Sequence, residues 1–296
     1  MALARPGSHG WALSIEPVGH VGTLLARLIE AANCGPVALG VDFPIGLPRA
    51  YASLHPAGAP DFPTFLRALP NRPGFFEVAD TLEEISPARP FYPRRGRAGM
   101  TRLSHAAALG LGAASSLSRA CDRATTQRPA GAPLFWTLGA NQTGKAAISA
   151  WRDLLLPAML GPTPPALWPF EGPFRSLLRP GRVAIAETYP ADALRQLGLR
   201  PIGSKRRQSD RIASLPGLRA AMETLNATPA PTLEPWLTDG FGPDSAGEDR
   251  FDCLIGVLCV LLVLTCRRPD TAPPDPWITT WEGWVLGQST QPVTSA

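Results

Sequence analysis

Four carboxylates stand where a hydrolytic site could use them. Asp42 ends the apolar run Val37 to Val41 and is followed by FPIGLP; Glu187 ends a second run, Val183 to Ala186, and is followed by TYPADALRQLG. Asp249 and Asp252 open the segment DRFDCLIGVLCVLLVLTC, three residues apart and so on one helical face. Carboxylates brought together repel one another and are costly to strip of water, and the usual resolution is one or two hard divalent cations with oxygen ligands, Mg²⁺ or Mn²⁺. The expected catalytic set is therefore Asp42, Glu187, Asp249 and Asp252, with Asp42, Glu187 and Asp252 as metal ligands. Such a site runs in-line displacement at phosphorus with metal-activated water, so no side-chain nucleophile is required.

Each acid also has a plainer role. A strand-end Asp before Phe-Pro caps a turn. Glu187, Asp249 and Asp252 sit where acids favour a helix N-terminus. Asp252 directly precedes the most apolar stretch of the chain, and an acid buried there needs a partner. The cations expected to hold a phosphate backbone are Lys145, Lys205 and Arg206, with Arg207 and Arg211 beside them; a solvated charge run is the competing account of SKRRQSDR. Gly139 to Lys145 reads G-A-N-Q-T-G-K but lacks the phosphate-loop pattern, because Ala146 follows the lysine. The four histidines show no zinc spacing. Trp136, Trp151, Trp168, Trp281 and Trp284 suit base stacking or core packing.

The elements that must position these residues follow from apolar spacing. Gly10 to Ile15 reads as a strand and Val21 to Ala32 as a helix through Leu24, Leu25, Leu28 and Ile29. Val37 to Val41 and Val183 to Ala186 are continuous apolar runs that suit buried strands. If they are parallel neighbours, their C-terminal ends open on one edge of the sheet, where open α/β folds place their sites. Residues from Tyr51 to about Arg128 change character: Pro-rich turns, a basic stretch at Arg94, Arg95 and Arg97, and a small-residue helix expected around Ser104 to Arg119. This reads as an insertion, spanning about 50–130, in a single domain covering 1–296. A helix is expected after the loop in WTLGANQTGKAAISAWRDLL, another in PADALRQLG with Asp192 in its early turns, and a core helix after DGFGPDSAGE. A short strand, Trp284 to Leu286, closes the chain.

Composition is that of an ordinary globular α/β protein, 45% hydrophobic and 18% charged over 296 residues. A net charge of +4 is compatible with an anionic partner but is too small to argue for one alone. The N-terminal MALARPGSHG has no apolar core of a signal peptide, and the longest apolar run is too short to span a bilayer, so a cytoplasmic protein is expected. Five cysteines with no C-x-x-C pair read as reduced thiols rather than a disulfide framework.

The ordered segments VDFPIGLP, FWTLGANQTGKAAISAWR, LWPFEG, AETYPA, GEDRFDCLIG and EGWVLG, spread from about residue 37 to 287, resemble the uncharacterised domain family of predicted RNase H-like nucleases. The resemblance implies an RNase H-like mixed central sheet flanked by helices, with acids on the first strand, a middle strand and the last helix. On this chain it places Asp42 on the middle strand and Asp249 and Asp252 on the last helix, and makes Glu187 the family's strand-borne glutamate. It implies metal-dependent cleavage of phosphodiester bonds in DNA or RNA. The chain departs from the pattern at its start, where no strand is expected before Gly10 to Ile15 and the leading Asp is missing. That departure raises the alternative of a catalytically weakened nucleic-acid or nucleotide-binding protein; a small-molecule phosphotransferase with a closed pocket is a third possibility.

Overall fold

In a computed structural model that describes residues 1–96, 99–126, 128–139, 143–200 and 202–289, the strands form two three-stranded sheets. The first begins with a hairpin: β1 (Ala2–Gly7) lies antiparallel to β2 (Gly10–Ile15), in register from Ala2↔Ile15 to Gly7↔Gly10. The expectation that no strand precedes Gly10 is thus corrected. Arg5 and Pro6 spoil the apolar alternation of β1, and only its pairing with β2 makes the strand visible. Gly10 closes the turn at φ +140, where a Cβ would meet the Asn226 carbonyl oxygen at 1.9 Å. β1 carries no carboxylate, so the leading acid of the family pattern has no counterpart on it.

Helix α1 (Leu24–Ala31) leads to β3 (Val37–Val41), which joins the second sheet. Between β3 and the next strand come the short helices α2 (Arg49–Leu54), α3 (Phe62–Ala68) and α4 (Arg102–Ala108). Next are α5 (Thr143–Ala150), a π-helical turn at Trp151–Leu155, and α6 (Leu156–Leu160). The helix expected over Ser104 to Arg119 is confined to α4; Gly110, in the left-handed region at φ +73, ends it, and only a 3₁₀ turn at Ala114–Leu117 follows. This region supplies the aromatic rings of the most extensive of the hydrophobic core clusters among the described residues. Tyr51, Phe62, Phe65, Phe75, Phe91, Phe135 and Trp151 pack there together with Val41 of β3 and Ile185 of the neighbouring strand.

β4 (Ala166–Leu167) and β5 (Val183–Glu187) complete the second sheet in the order β3-β5-β4, all parallel, and every residue of the central β5 is buried. The expected parallel pairing of the two apolar runs is observed, with Val41 opposite Glu187. The expected closing strand is reduced to a single bridge between Val285 and Glu187. After α7 (Pro190–Gln196), α8 (Gln208–Ala213) and α9 (Leu215–Thr224), β6 (Ala227–Pro229) runs parallel to β2. α10 (Glu234–Thr238) precedes the long core helix α11 (Ala246–Leu264), which packs on both β1 and β3. Among the described residues, no helix is long and apolar enough to cross a membrane.

Gly40 sets the distance between β3 and α11. A Cβ there would stand 2.8 Å from both Val260 and Thr188 side-chain methyls, so only glycine lets the helix settle this deeply. Gly256, one turn before Val260, lies against Thr188 in the same seam. Asp252 is one further turn toward the N-terminus on that helical face. The packing that buries Val260 therefore carries Asp252 toward the sheet edge where β3 ends in Asp42.

Candidate active site

Asp42 and Asp252 line one cleft of about 840 Å³, together with Thr143, Tyr189, Arg200, Ser204, Lys205, Arg206 and Glu248. Asp42 is exposed, so a ligand can reach it, while the cleft walls crowd its carboxyl. That crowding, reinforced by the charges of Asp252, Glu187 and Asp249 and opposed by Lys205, pushes its pKa up to about 7. Asp252 is half-buried. Its carboxyl is also raised, first by burial, against the pull of Lys205. One of its oxygens, Oδ2, pairs with Lys205 Nζ, and the other, Oδ1, is buried with no hydrogen-bond partner.

Glu187 lies at the same sheet edge but is engaged differently. Arg119, buried and 68 residues away in sequence, donates to Glu187 Oε2 at 2.6 Å and Oε1 at 2.7 Å. The same guanidinium donates to both oxygens of Asp122, each at 2.9 Å. Glu187 Oε2 also accepts the backbone N–H of Ile45, at 2.9 Å. Burial pushes the Glu187 carboxyl up, against the attraction of Arg119. Burial likewise opposes the charge on Arg119, but Asp122 and Glu187 outweigh it and hold the guanidinium ionised.

The segment after Asp42 is held from several sides. Besides the Ile45 bond, Trp151 Nε1 donates to the Pro44 carbonyl at 2.7 Å, and Leu47 N–H donates to the Trp281 carbonyl at 2.7 Å. Gly46 (φ +138) passes so close to Glu282 that a Cβ would lie 2.1 Å from its carbonyl oxygen. Glu282 Oε1 accepts from Arg49 N and Ala120 N, which ties the loop and the Arg119 segment to one carboxylate. Trp151, Trp168, Trp281 and Trp284 are buried, so of the tryptophans considered for base stacking these four are core residues.

The acids of α11 divide between solvent and cleft. Asp249 is exposed and outside the cleft lining; it acts on Asp42 and Asp252 only through its field. Glu248, four residues before Asp252, lines the cleft instead, 3.6 Å from Lys205 Nζ and 3.7 Å from Arg206 Nε. Its i, i+4 relation to Asp252 is visible in the sequence, but so is the i, i+3 relation of Asp249, and spacing does not choose between them. Lys205 and Arg206 line the cleft as expected of substrate-facing cations, whereas Lys145 is exposed on the first turn of α5 and only Thr143 and Ala146 of that turn reach the cleft. Arg207 pairs with Asp210. Arg211 is fully buried and donates to the carbonyls of Lys205, Gly240 and Gly242, so it shapes the loop that presents Lys205. Residues 140–142 of the Gly139 to Lys145 loop lie outside the described residues, as does Arg97 of the basic stretch.

Two donor sets bear on metal binding. Among the described residues, the Cys, His, Asp and Glu ligand atoms that gather within 4.8 Å of one another belong to Cys121, Asp122 and Glu187, not to Asp42, Glu187 and Asp252. That buried trio does not suit a divalent cation: both carboxylates are saturated by Arg119, and burial holds the Cys121 thiol protonated. The cleft sets hard oxygen donors of Asp42, Asp252 and Glu248 around one solvent-open space, the unpartnered Asp252 Oδ1 among them, although no three of these acids bring ligand atoms within 4.8 Å of one another. Fold and site together define a mixed α/β protein with an acidic cleft, rimmed by cations, at the C-terminal edge of a parallel sheet. Comparison with protein-family models, with curated proteins and with solved structures returns no match.

Proposed function

We propose that the cleft is the active site of an RNase H-like, metal-dependent hydrolase that cleaves phosphodiester bonds in nucleic acid. One observation carries the reading: a strand-end acid, Asp42, and a helix-borne acid, Asp252, with a buried, unpartnered oxygen on the latter, share an open cleft with Lys205, Arg206 and Arg200. Asp42 and Asp252 would hold Mg²⁺ or Mn²⁺, which when bound supplies an activated water and charge neutralisation at the phosphate. Arg200 and Arg206 bind and orient the sugar-phosphate backbone. Glu187 serves this site indirectly, by holding Ile45 three residues beyond Asp42.

A second reading is favoured by the Arg119–Glu187 clamp together with an acid-free β1, which leave fewer ligands than the family pattern implies. In it the chain binds nucleic acid or nucleotide without turning it over. Labelled single-stranded and duplex DNA and RNA, incubated with Mg²⁺ or Mn²⁺, separate the two. Cleavage by the wild type that is lost in Asp42→Asn and Asp252→Asn supports the hydrolase; binding without cleavage supports the alternative, and cleavage unchanged in both variants would falsify the site.

A further inference from the structure

The metal reading leaves Asp252 with two suitors. Lys205 already holds Oδ2 from the loop between α7 and α8, where Arg211 grips the Lys205 carbonyl and Asp210 accepts the Ser204 N–H, so release of the carboxylate needs only the side chain to move. Its side chain is 37% exposed, so the ammonium has water beside it as well as the carboxylate. The other groups facing the amine are acids, Glu248 at 3.6 Å and Asp42 across the cleft. A lysine is a compact point charge on a flexible stem, able to swing without remodelling the backbone. Without it, Asp42 and Asp252 would share the cleft with no paired countercharge, Arg206 being left to Glu248 at 3.7 Å, an arrangement that costs stability.

We propose that Lys205 is an internal counter-cation that occupies Asp252 in the metal-free protein, is displaced from it by a divalent cation, and then faces the anionic substrate. This rests on the reading of the cleft as a metal site. The exchange conserves charge compensation at Asp252 and creates an order of events: the phosphate-facing amine becomes free only once the cation is in place. Substitution of Lys205 thus has opposite effects on the two ligands.

The test uses the full chain, Mn²⁺ alone as the first probe, and the variants Lys205→Met, Lys205→Arg and Arg206→Met. Calorimetry is expected to show Mn²⁺ binding roughly tenfold tighter in Lys205→Met than in wild type, because a contact competitor is gone. Arg206→Met, which removes a charge of the same sign from the same loop and releases only a solvent-exposed contact with Glu248 at 3.7 Å, is expected to change affinity by no more than about twofold. A brief acetylation pulse read by mass spectrometry reports the amine directly: Mn²⁺ speeds labelling of Lys205 in wild type, and a single-stranded oligonucleotide added with Mn²⁺ restores protection. Equal Mn²⁺ affinity in wild type and Lys205→Met, or equal gains in Lys205→Met and Arg206→Met, overturns the exchange while leaving the metal site standing. Labelling unaffected by Mn²⁺ overturns the displacement, and absent reprotection overturns the substrate-facing step. Failure of both wild type and Lys205→Met to bind Mn²⁺ removes the metal reading, and the exchange with it. Lys205→Arg, which keeps the charge, guards against an effect of misfolding: it is expected to stay near wild type in Mn²⁺ affinity.

Discussion

Arg119 donates an N–H to each carboxylate oxygen of Glu187, at 2.6 and 2.7 Å, and so converts the acid at the end of the central strand into an anchor. The anchor extends through Ile45 to the loop that carries Asp42, and through Glu282 to the C-terminal segment. Glu187 thereby affects the cleft without lying in its lining.

Arg119→Met is expected to be severely destabilising. It leaves Glu187 and Asp122 buried or nearly so with no countercharge, a loss of about 3–5 kcal/mol for breaking one partner of a buried pair. Urea unfolding measures it. A loss below about 1 kcal/mol, the range of exposed pairs, would show that the clamp is not structural.

Asp42 makes the metal-free protein less stable as pH rises. Its folded pKa stands at about 7, above the ordinary 3.8, so between those values the folded state keeps a proton that the unfolded state has released. The stability contribution is therefore complete below about pH 4 and is lost as pH climbs through about 7. Melting temperatures without divalent ions should fall across that window, and by less in Asp42→Asn. Because a cation needs the ionised carboxylate, Mn²⁺ affinity should rise over the same range in wild type.

Gly40→Ala tests the seam that brings Asp252 to Asp42. The added methyl meets Val260 and Thr188 at 2.8 Å, and overpacking of this kind costs about 1–3 kcal/mol. Thermal unfolding should register that cost, and Mn²⁺ titration should show weaker binding because the helix is pushed away from the strand. Unchanged affinity alongside lost stability would separate the seam from the site.

The neighbouring acids Glu248 and Asp249 should behave differently although both are one charge. Glu248→Gln, inside the cleft, is expected to weaken Mn²⁺ binding by about tenfold, whereas Asp249→Asn, acting through solvent, stays within about threefold. Calorimetry of the two variants decides whether the i, i+4 or the i, i+3 partner of Asp252 belongs to the site.

Much of the framework was legible in the amino-acid order. The apolar runs Val37 to Val41 and Val183 to Ala186 marked buried strands ending in acids, and the all-round apolar stretch after Asp252 marked α11, because apolar patterning is a local property that reports which faces must leave water. β1 was not legible, since a strand broken by Arg5 and Pro6 exists only through its partner. Asp42, Asp252, Lys205 and Arg206 were readable as candidates, but which acid meets which cation was decided by tertiary structure. That Glu187 would meet Arg119, that Asp252 would meet Lys205, and that Glu248 rather than Asp249 would turn into the cleft depended on how helices and loops dock across many residues of intervening chain. A carboxylate's spacing says that it needs a partner. Only the packing of the elements says whether that partner is a guanidinium, an ammonium or a site left open to a ligand.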